Sequence, residues 1–499
     1  MILTVDVGTS VTKVALWDDG GLVALAGAPI DTLHPAPGWS EQDPSQWWAS
    51  VVDACAQVKE LAPGGLASVD VVGCTGARQT VALVDVSGAP LGPGVLWSDR
   101  RAAVEAEELV TNLGIDHTAS ARSGILVDAA SVAAKMAWLA THERERFEAS
   151  AWIVAPRDLV GWRLTGIVAT DATMASRTGL YDDEGRVVEE LAGEAGSRLP
   201  PIAPSDRVTG QVGGSAAAAL GLAAGTPVVI GAADRPCEVL GSGATESCPM
   251  VSWGTTANVS VPVRTRPEPP PGVVVSRAAD GGWLLEGGLS AAGSFLAWLG
   301  RLTGRTPAEL AVLALQSPPG ARGVLATPWL EGARAPWWRQ DAAAAFVGLA
   351  SAHGVADMAR AVFESVAWEV KRCLDVIASR QPAGSAVHAL ALGGSGATIG
   401  AWTEVLTGIT GLPATGRRSG QAASAGAALL AAAAVGMDCD LDRIDPIDVR
   451  VQPDPVAVGR YSELRDQAAS VAAAVVGLPP AWSPASGPEP NQPGERSCG

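Results

Sequence analysis

A polar turn flanked by apolar runs occurs twice in this chain, as Asp6-Val7-Gly8-Thr9-Ser10 and as Ser252-Trp253-Gly254-Thr255-Thr256. Each time a run suited to a buried strand meets Gly-Thr and continues into a second strand-like run, Thr12 to Trp17 or Asn258 to Val263. Both are predicted as hairpins with polar tips. Such a tip offers backbone N–H groups and hydroxyls to phosphate oxygens, and glycine lets the backbone approach closely. Two such tips on facing halves of a molecule would clamp one nucleotide. Only the first copy carries a carboxylate, Asp6, where the second has Ser252. Asp6 could hold a magnesium ion against the phosphates, because hard cations take oxygen ligands. A lone hairpin of this kind is usually an ordinary turn; its duplication is what points to phosphate.

Composition narrows the partners. The 499 residues are too many for one ordinary core and predict two or more domains. A net charge of −17 argues against nucleic acid or an anionic membrane as the main partner. Seven Cys with no C-x-x-C pair and five scattered His give no zinc signature and fit a reduced cytoplasm. Met1 to Asp6 lacks the basic region of a signal peptide. The longest apolar stretch, Ala422 to Gly436, is short of the roughly 18 residues of a membrane span and is expected to be a buried helix. G-x-x-x-x-G-K-[ST] does not occur, which excludes a P-loop, and Gly394-Ser395-Gly396 begins like a dinucleotide fingerprint but lacks its last glycine.

The elements that must position these residues follow from periodicity. Three strands are predicted from Met1 to Ala28, a helix from Ser45 to Leu61, and strands at Val69 to Cys74 and Val81 to Asp85. Helices are predicted at Ala102 to Leu113, Ser131 to Thr141 and Pro156 to Leu164. The second half repeats the order, with strands around Met250, Asn258, Val273 and Trp283, then helices at Ser290 to Leu302 and Pro307 to Leu315. A long helix from Ala356 to Ala378, a strand from Ala386 to Leu392 and a helix from Thr398 to Thr410 follow. Strand and helix alternate, so the class is α/β. The domain boundary is placed near Gly243, giving domains 1–243 and 244–478; the Pro/Gly/Ser-rich tail, 479–499, is expected to be disordered.

The ordered landmarks resemble those of the FGGY carbohydrate kinases, within the actin and sugar-kinase superfamily, with a layout like that of xylulokinases. They are Asp6-x-Gly8-Thr9-Ser10-x-x-Lys13, Gly38-Trp39-Ser40-Glu41-Gln42-Asp43-Pro44, Trp97-Ser98-Asp99-Arg100-Arg101, Thr170-Asp171 with Ala175-Ser176-Arg177-Thr178, and Ala233-Asp234. Ser252-x-Gly254-Thr255-Thr256, Gly332-x-Arg334-x-Pro336, Phe346-Val347-Gly348-Leu349 and Gly393-Gly394-Ser395-Gly396 continue the series.

The resemblance implies two ribonuclease-H-like domains around a cleft, and transfer of the γ-phosphoryl of ATP to a hydroxyl of a small sugar, ketose or polyol. It assigns the general base to Asp234, which alone would read as a helix N-cap before Pro236. Asp6 and Asp234 would organise magnesium. Thr9, Ser10, Thr12 and Lys13 would face the β- and γ-phosphates, with Gly254, Thr255 and Thr256 opposite and Gly394 and Ser395 at the nucleotide. Substrate contacts fall on Arg78, Gln79, Trp97, Asp99 and Asp234. The pocket departs from the xylulokinase pattern, which has Gln-Met-His-Gly; here Thr75-Gly76-Ala77-Arg78-Gln79-Thr80 puts Gln79 in place of the His. Glycerol kinases have Arg-Glu at those two positions, so Arg78-Gln79 is intermediate and suits polyol hydroxyls. Arg235 would favour an acidic sugar or pair with a carboxylate. The other reading is a non-catalytic or ATP-hydrolysing sensor of the same superfamily, against which the two carboxylates Asp6 and Asp234 argue. A homodimer is left open.

Overall fold

Apolar residues at nearly every position make Ile2–Val7 (β1) a strand buried on both faces, and two antiparallel strands follow, Val11–Asp18 (β2) and Gly21–Pro29 (β3). The computed structural model describes residues 1–113, 127–380 and 386–478; the tail at 479–499 lies outside the described residues. On the other side of β1 sits a parallel strand, Val71–Gly76 (β4). Beyond a long insertion, Val208–Gln211 (β5) and Pro227–Val229 (β6) complete a six-stranded sheet of order β5-β6-β4-β1-β2-β3. Asp6 thus lies between Lys13 on β2 and Thr75 on β4.

The first-half helices carry explicit start signals. Pro44–Leu61 (α1) opens on Asp43, whose carboxylate accepts from the Ser45 N–H, with Pro44 in the first turn. It buries Trp47, Val51, Ala54 and Val58 against the sheet. Pro156–Thr165 (α2) likewise begins at proline and ends at the left-handed Gly166. Asp234–Ser242 (α3) starts after the four residues 230–233 that follow the end of β6.

The second half repeats the plan. Met250–Trp253 (β7) and Ala257–Val263 (β8) form the second hairpin, and Val274–Arg277 (β9) and Trp283–Leu289 (β10) extend it. Leu390–Gly393 (β11) and Ala414–Arg417 (β12) add in parallel and Ile447–Val451 (β13) closes the edge, giving the order β9-β10-β8-β7-β11-β12-β13. In both sheets an antiparallel meander carries its parallel neighbours on the side of its first strand, so Asp6 and Ser252 are equivalent positions. Gly293–Thr303 (α4), Val355–Ala378 (α5), Gly400–Thr410 (α6) and Ala422–Ala434 (α7) pack around this sheet and its neighbour. The strand expected at 386–392 begins only at Leu390, and the helix expected from Thr398 begins at Gly400 after a 3-10 turn, Ser395–Thr398.

The α/β expectation therefore holds as two facing sheets. What joins them is a close helix crossing. Helix α7 belongs to the second half of the chain, yet Ala425, Ala428, Ala431 and Ala432 pack with Ile2, Trp17, Val71 and Val229 of the first sheet. It crosses α3 with no room for side chains: a Cβ on Gly241 would lie 1.9 Å from the Ala422 carbonyl oxygen, and one on Gly426 1.9 Å from that of Cys237. Among the described residues no helix is long and apolar enough to cross a membrane.

Candidate active site

Parallel strands end at the cleft with their next residues free to turn outward, and the chemistry collects there. Asp234, the first residue of α3, follows β6; its Oδ1 accepts the Arg235 N–H at 2.7 Å, and its side chain is 41% accessible. A buried network sets its position. Arg157 on α2 pairs with Asp158 at 2.7 Å and Asp171 at 2.9 Å and donates to the Gly231 carbonyl. Asp171 accepts from Thr173, and Thr173 Oγ1 in turn accepts the Ala233 N–H at 2.8 Å. Arg157 and Asp171 are fully buried, so the residue before Asp234 is held by charges already paired within the protein.

Asp6, next to last in β1, has its Oδ1 sealed from solvent and without a hydrogen-bond partner among the described residues. Burial first, and then the negative charges of Asp234 and Glu238, push its carboxyl up to about 7, against the pull of Lys13. Enclosure in the cleft wall also raises Asp234, opposed by Arg78 and Arg235. A carboxyl raised by burial and by the neighbouring Asp234, with an orphaned oxygen, suits a hard cation that completes its shell with substrate phosphate oxygens. Among the described residues there is no cluster of three or more His, Cys, Asp or Glu to hold a metal without such help.

Glu238 stands one helical turn beyond Asp234 and was not singled out by the sequence reading, although i, i+4 spacing puts both on one face of α3. It receives the Ser252 hydroxyl at 2.6 Å and pairs with Arg235. Of the alternatives posed for Arg235, the carboxylate pairing is the one observed. A Cβ on Gly393 would lie 2.7 Å from Glu238 Oε1, so this carboxylate reaches the end of β11.

The two hairpin tips divide their residues. Thr9 lines the cleft and its hydroxyl accepts the Trp97 indole N–H at 3.0 Å, while Ser10 is exposed. Lys13 lies beside Asp6 in register and donates to Gln421 at 3.1 Å. Thr12 departs from expectation: it is fully buried and its hydroxyl bonds Ser50 of α1 at 2.7 Å, on the sheet face away from the tip. At the second tip, Gly254 and Thr255 are exposed, and their carbonyls accept N–H groups from Gly293 and from Ala292 and Ser294 at the start of α4. Thr256 lines the same cleft as Thr9. Gly394 adopts φ 72° with its Cα against the Trp253 backbone, a close approach that only glycine permits, and Ser395 beside it is exposed.

A cavity of about 210 Å³ between the halves is bordered by Arg78, Gln79, Trp97 and Asp234 from one side and by Asn258, Glu286 and Arg334 from the other. Asp99 is not among them. It is fully buried, clamped by Arg101 Nε and Nη2 at 2.9 and 2.8 Å and by the Ser40 N–H at 2.6 Å, so it shapes the loop under Trp39 and has no face for a substrate. Arg78 does border the cavity, but its two terminal nitrogens are taken by Glu286; its Nε lies 3.8 Å from Asp234. Gln79 holds φ 60°, a conformation that costs a non-glycine residue energy. It is pinned by Lys135, whose Nζ donates to the Gln79 carbonyl at 2.6 Å and whose ammonium burial pulls down to about 7.

Two duplicated sheet halves with paired carboxylates and glycine-threonine tips across one cleft define a two-domain phosphotransfer fold of the sugar-kinase type. Residues 1–241 match the N-terminal domain of the FGGY family of carbohydrate kinases and residues 249–435 its C-terminal domain, and the chain belongs to that family. It is 30% identical over 460 residues to xylulose kinase of Escherichia coli K12, covering 89% of this chain and 92% of that protein. It is 32% identical over 402 residues to glycerol kinase of Gloeobacter violaceus, covering 76% and 77%. The solved xylulose kinase of Rhodospirillum rubrum superposes with a TM-score of 0.84 at 29% identity, covering 95% of this chain and 98% of that one. The protein is therefore a carbohydrate kinase, carrying out ATP-dependent phosphorylation of a sugar hydroxyl.

Proposed function

We propose that Asp234 is the general base for a hydroxyl bound in the cavity between the halves, and that ATP lies with its phosphates between the tips at Thr9-Ser10 and Gly254-Thr255-Thr256, with Gly394 and Ser395 against the nucleotide. The observation that carries this reading is the pair Asp6 and Asp234, brought to one cleft from positions far apart in the chain, with the Asp6 Oδ1 unpartnered. Asp6 and Asp234 would hold magnesium, which supplies charge neutralisation on the phosphates. Asp234 accepts the hydroxyl proton as the oxygen bonds to the γ-phosphorus, and the bond from that phosphorus to the bridging oxygen breaks to leave ADP. Lys13, beside Asp6, adds positive charge where the leaving phosphate gains negative charge. The division falls at Gly243, where α3 ends, and the protein works in the cytoplasm.

Gln79 in place of the xylulokinase histidine leads us to assign D-xylulose as a poor substrate. A coupled ADP-release assay across pentuloses, polyols and sugar acids tests the reading. ADP release that depends on one acceptor is expected; ATP hydrolysis indifferent to every acceptor would refute it.

A further inference from the structure

Four arginines border the cavity, Arg78, Arg177, Arg235 and Arg334, against two carboxylates, Asp234 and Glu286, in a protein of net charge −17. Arg78 is satisfied by Glu286 and Arg235 by Glu238. The other two are not. Among the described residues the Nε and Nη1 of Arg177 are sealed from solvent with no hydrogen-bond partner, and its Nη2 reaches only Gln79 Oε1 at 3.5 Å. The Arg334 guanidinium has no hydrogen bond or ion pair among the described residues; it lies over the Trp338 ring with its centre 5.6 Å from the centroid.

Nearby carboxylates attract them but, among the described residues, give neither of them a hydrogen bond or ion pair. Glu286 is engaged by both Arg78 nitrogens and by the Ser276 hydroxyl, and Asp128 accepts the Ala130 and Ser131 N–H groups. Burial lowers both guanidinium groups, Arg177 to about 10; the attraction of Glu286 and Asp128 opposes it, while Arg78 and Arg334 repel Arg177, and Arg100 and Arg78 repel Arg334. Unpaired buried donors are costly, and enclosed like charges more so, so they are held for an anion that the protein does not itself provide.

We propose that the acceptor substrate carries a carboxylate, a sugar acid rather than a neutral sugar or polyol, and that Arg177 and Arg334 receive it from opposite halves of the cleft while Asp234 faces a hydroxyl. This rests on the kinase reading of the same site. The guanidinium fork matches the two oxygens of a carboxylate, and the anion joins one arginine from each half. A neutral analogue leaves both forks unpaired and is rejected for that reason.

The test sets D-xylonate against xylitol and D-gluconate against D-glucitol, with D-ribose 5-phosphate as a phosphate-bearing arm. Each is measured on the full chain by ADP release and, without nucleotide, by calorimetric titration. An aldonate is expected to exceed its alditol in kcat/KM by roughly 10- to 100-fold, the range for losing hydrogen bonds to a charged group. That ratio should collapse in Arg177→Gln and in Arg334→Gln through the KM of the acid, with Arg334→Lys, which keeps the charge, partly restoring it if the Gln variant folds poorly. Alditols preferred to both aldonates, the sugar phosphate preferred to both, or an unchanged ratio in both variants would overturn the proposal. Aldonate binding without any ADP release would sink the phosphotransfer roles and leave the anion site standing. Phosphorylation of a neutral polyol with no aldonate preference would do the reverse.

Discussion

Arg78 at the end of the first sheet and Glu286 of the second are joined across the cleft by two parallel bonds, Nη1 to Oε1 at 2.9 Å and Nη2 to Oε2 at 2.7 Å. Arg78 was expected to offer its donors to a polyol; its fork instead ties one half to the other, and only the shape and charge of the pair face the cavity. Burial alone would raise the Glu286 carboxyl, but Arg78 and Arg177 outweigh it and hold it well below the usual carboxylate range.

Removing one partner leaves a buried charge. Glu286→Ala should cost about 3–5 kcal/mol in denaturant unfolding at neutral pH, and Arg78→Met combined with Glu286→Leu should cost less than the sum of the single changes. Because the Glu286 carboxyl is depressed in the folded state, this stability is present above the unfolded carboxylate range and lost as pH falls below it. Equal losses at pH 3 and pH 7 would contradict the strut.

Replacing Asp234 with Asn keeps its shape and removes the proton acceptor. Turnover should fall by about 10² to 10⁴, with acceptor affinity by calorimetry nearly unchanged. Near wild-type kcat on the true acceptor would exclude Asp234 as the base.

Asp6 should make magnesium binding depend on pH. Its carboxyl is raised to about 7, so below that pH the group is largely protonated and a cation must displace the proton. Affinity for magnesium with ATP should weaken by about tenfold per pH unit below 7 and level off above it, with proton release visible at pH 6 in buffers of different ionisation enthalpy. The sign is opposite for stability without ligands: as pH rises from the unfolded value of Asp6 toward 7 the fold is destabilised, and Asp6→Asn should remove both effects.

The α3–α7 crossing should tolerate nothing larger than glycine. With a Cβ 1.9 Å from a carbonyl oxygen at either Gly241 or Gly426, the helices must separate, and each Gly→Ala change should lower stability by more than the roughly 1–3 kcal/mol of ordinary overpacking. Thermal unfolding measures this directly, and a gain in stability from helix propensity would show that the crossing is loose.

Local pattern was enough for much of this protein. The duplicated Gly-Thr hairpins, the helices predicted from Ser45 and Pro156 and found from Pro44 and Pro156, and Asp234 just past a strand end are all legible because turn chemistry, capping and strand periodicity act over a few residues. Thr12 was misplaced because β2 is buried on both faces over most of its length, so its sequence has no inside-outside alternation to say which way a hydroxyl points. Asp99 was misplaced because its partners, Arg101 and Ser40, consume both carboxylate oxygens, and a charge count cannot show that. The rest belongs to tertiary structure alone. Arg78 and Glu286 are 208 residues apart, and Arg177 and Arg334 come from different halves of the chain; which arginines find a carboxylate and which are left facing the cavity is decided only when the two sheets close on each other, because desolvation and pairing depend on distances that sequence separation does not encode.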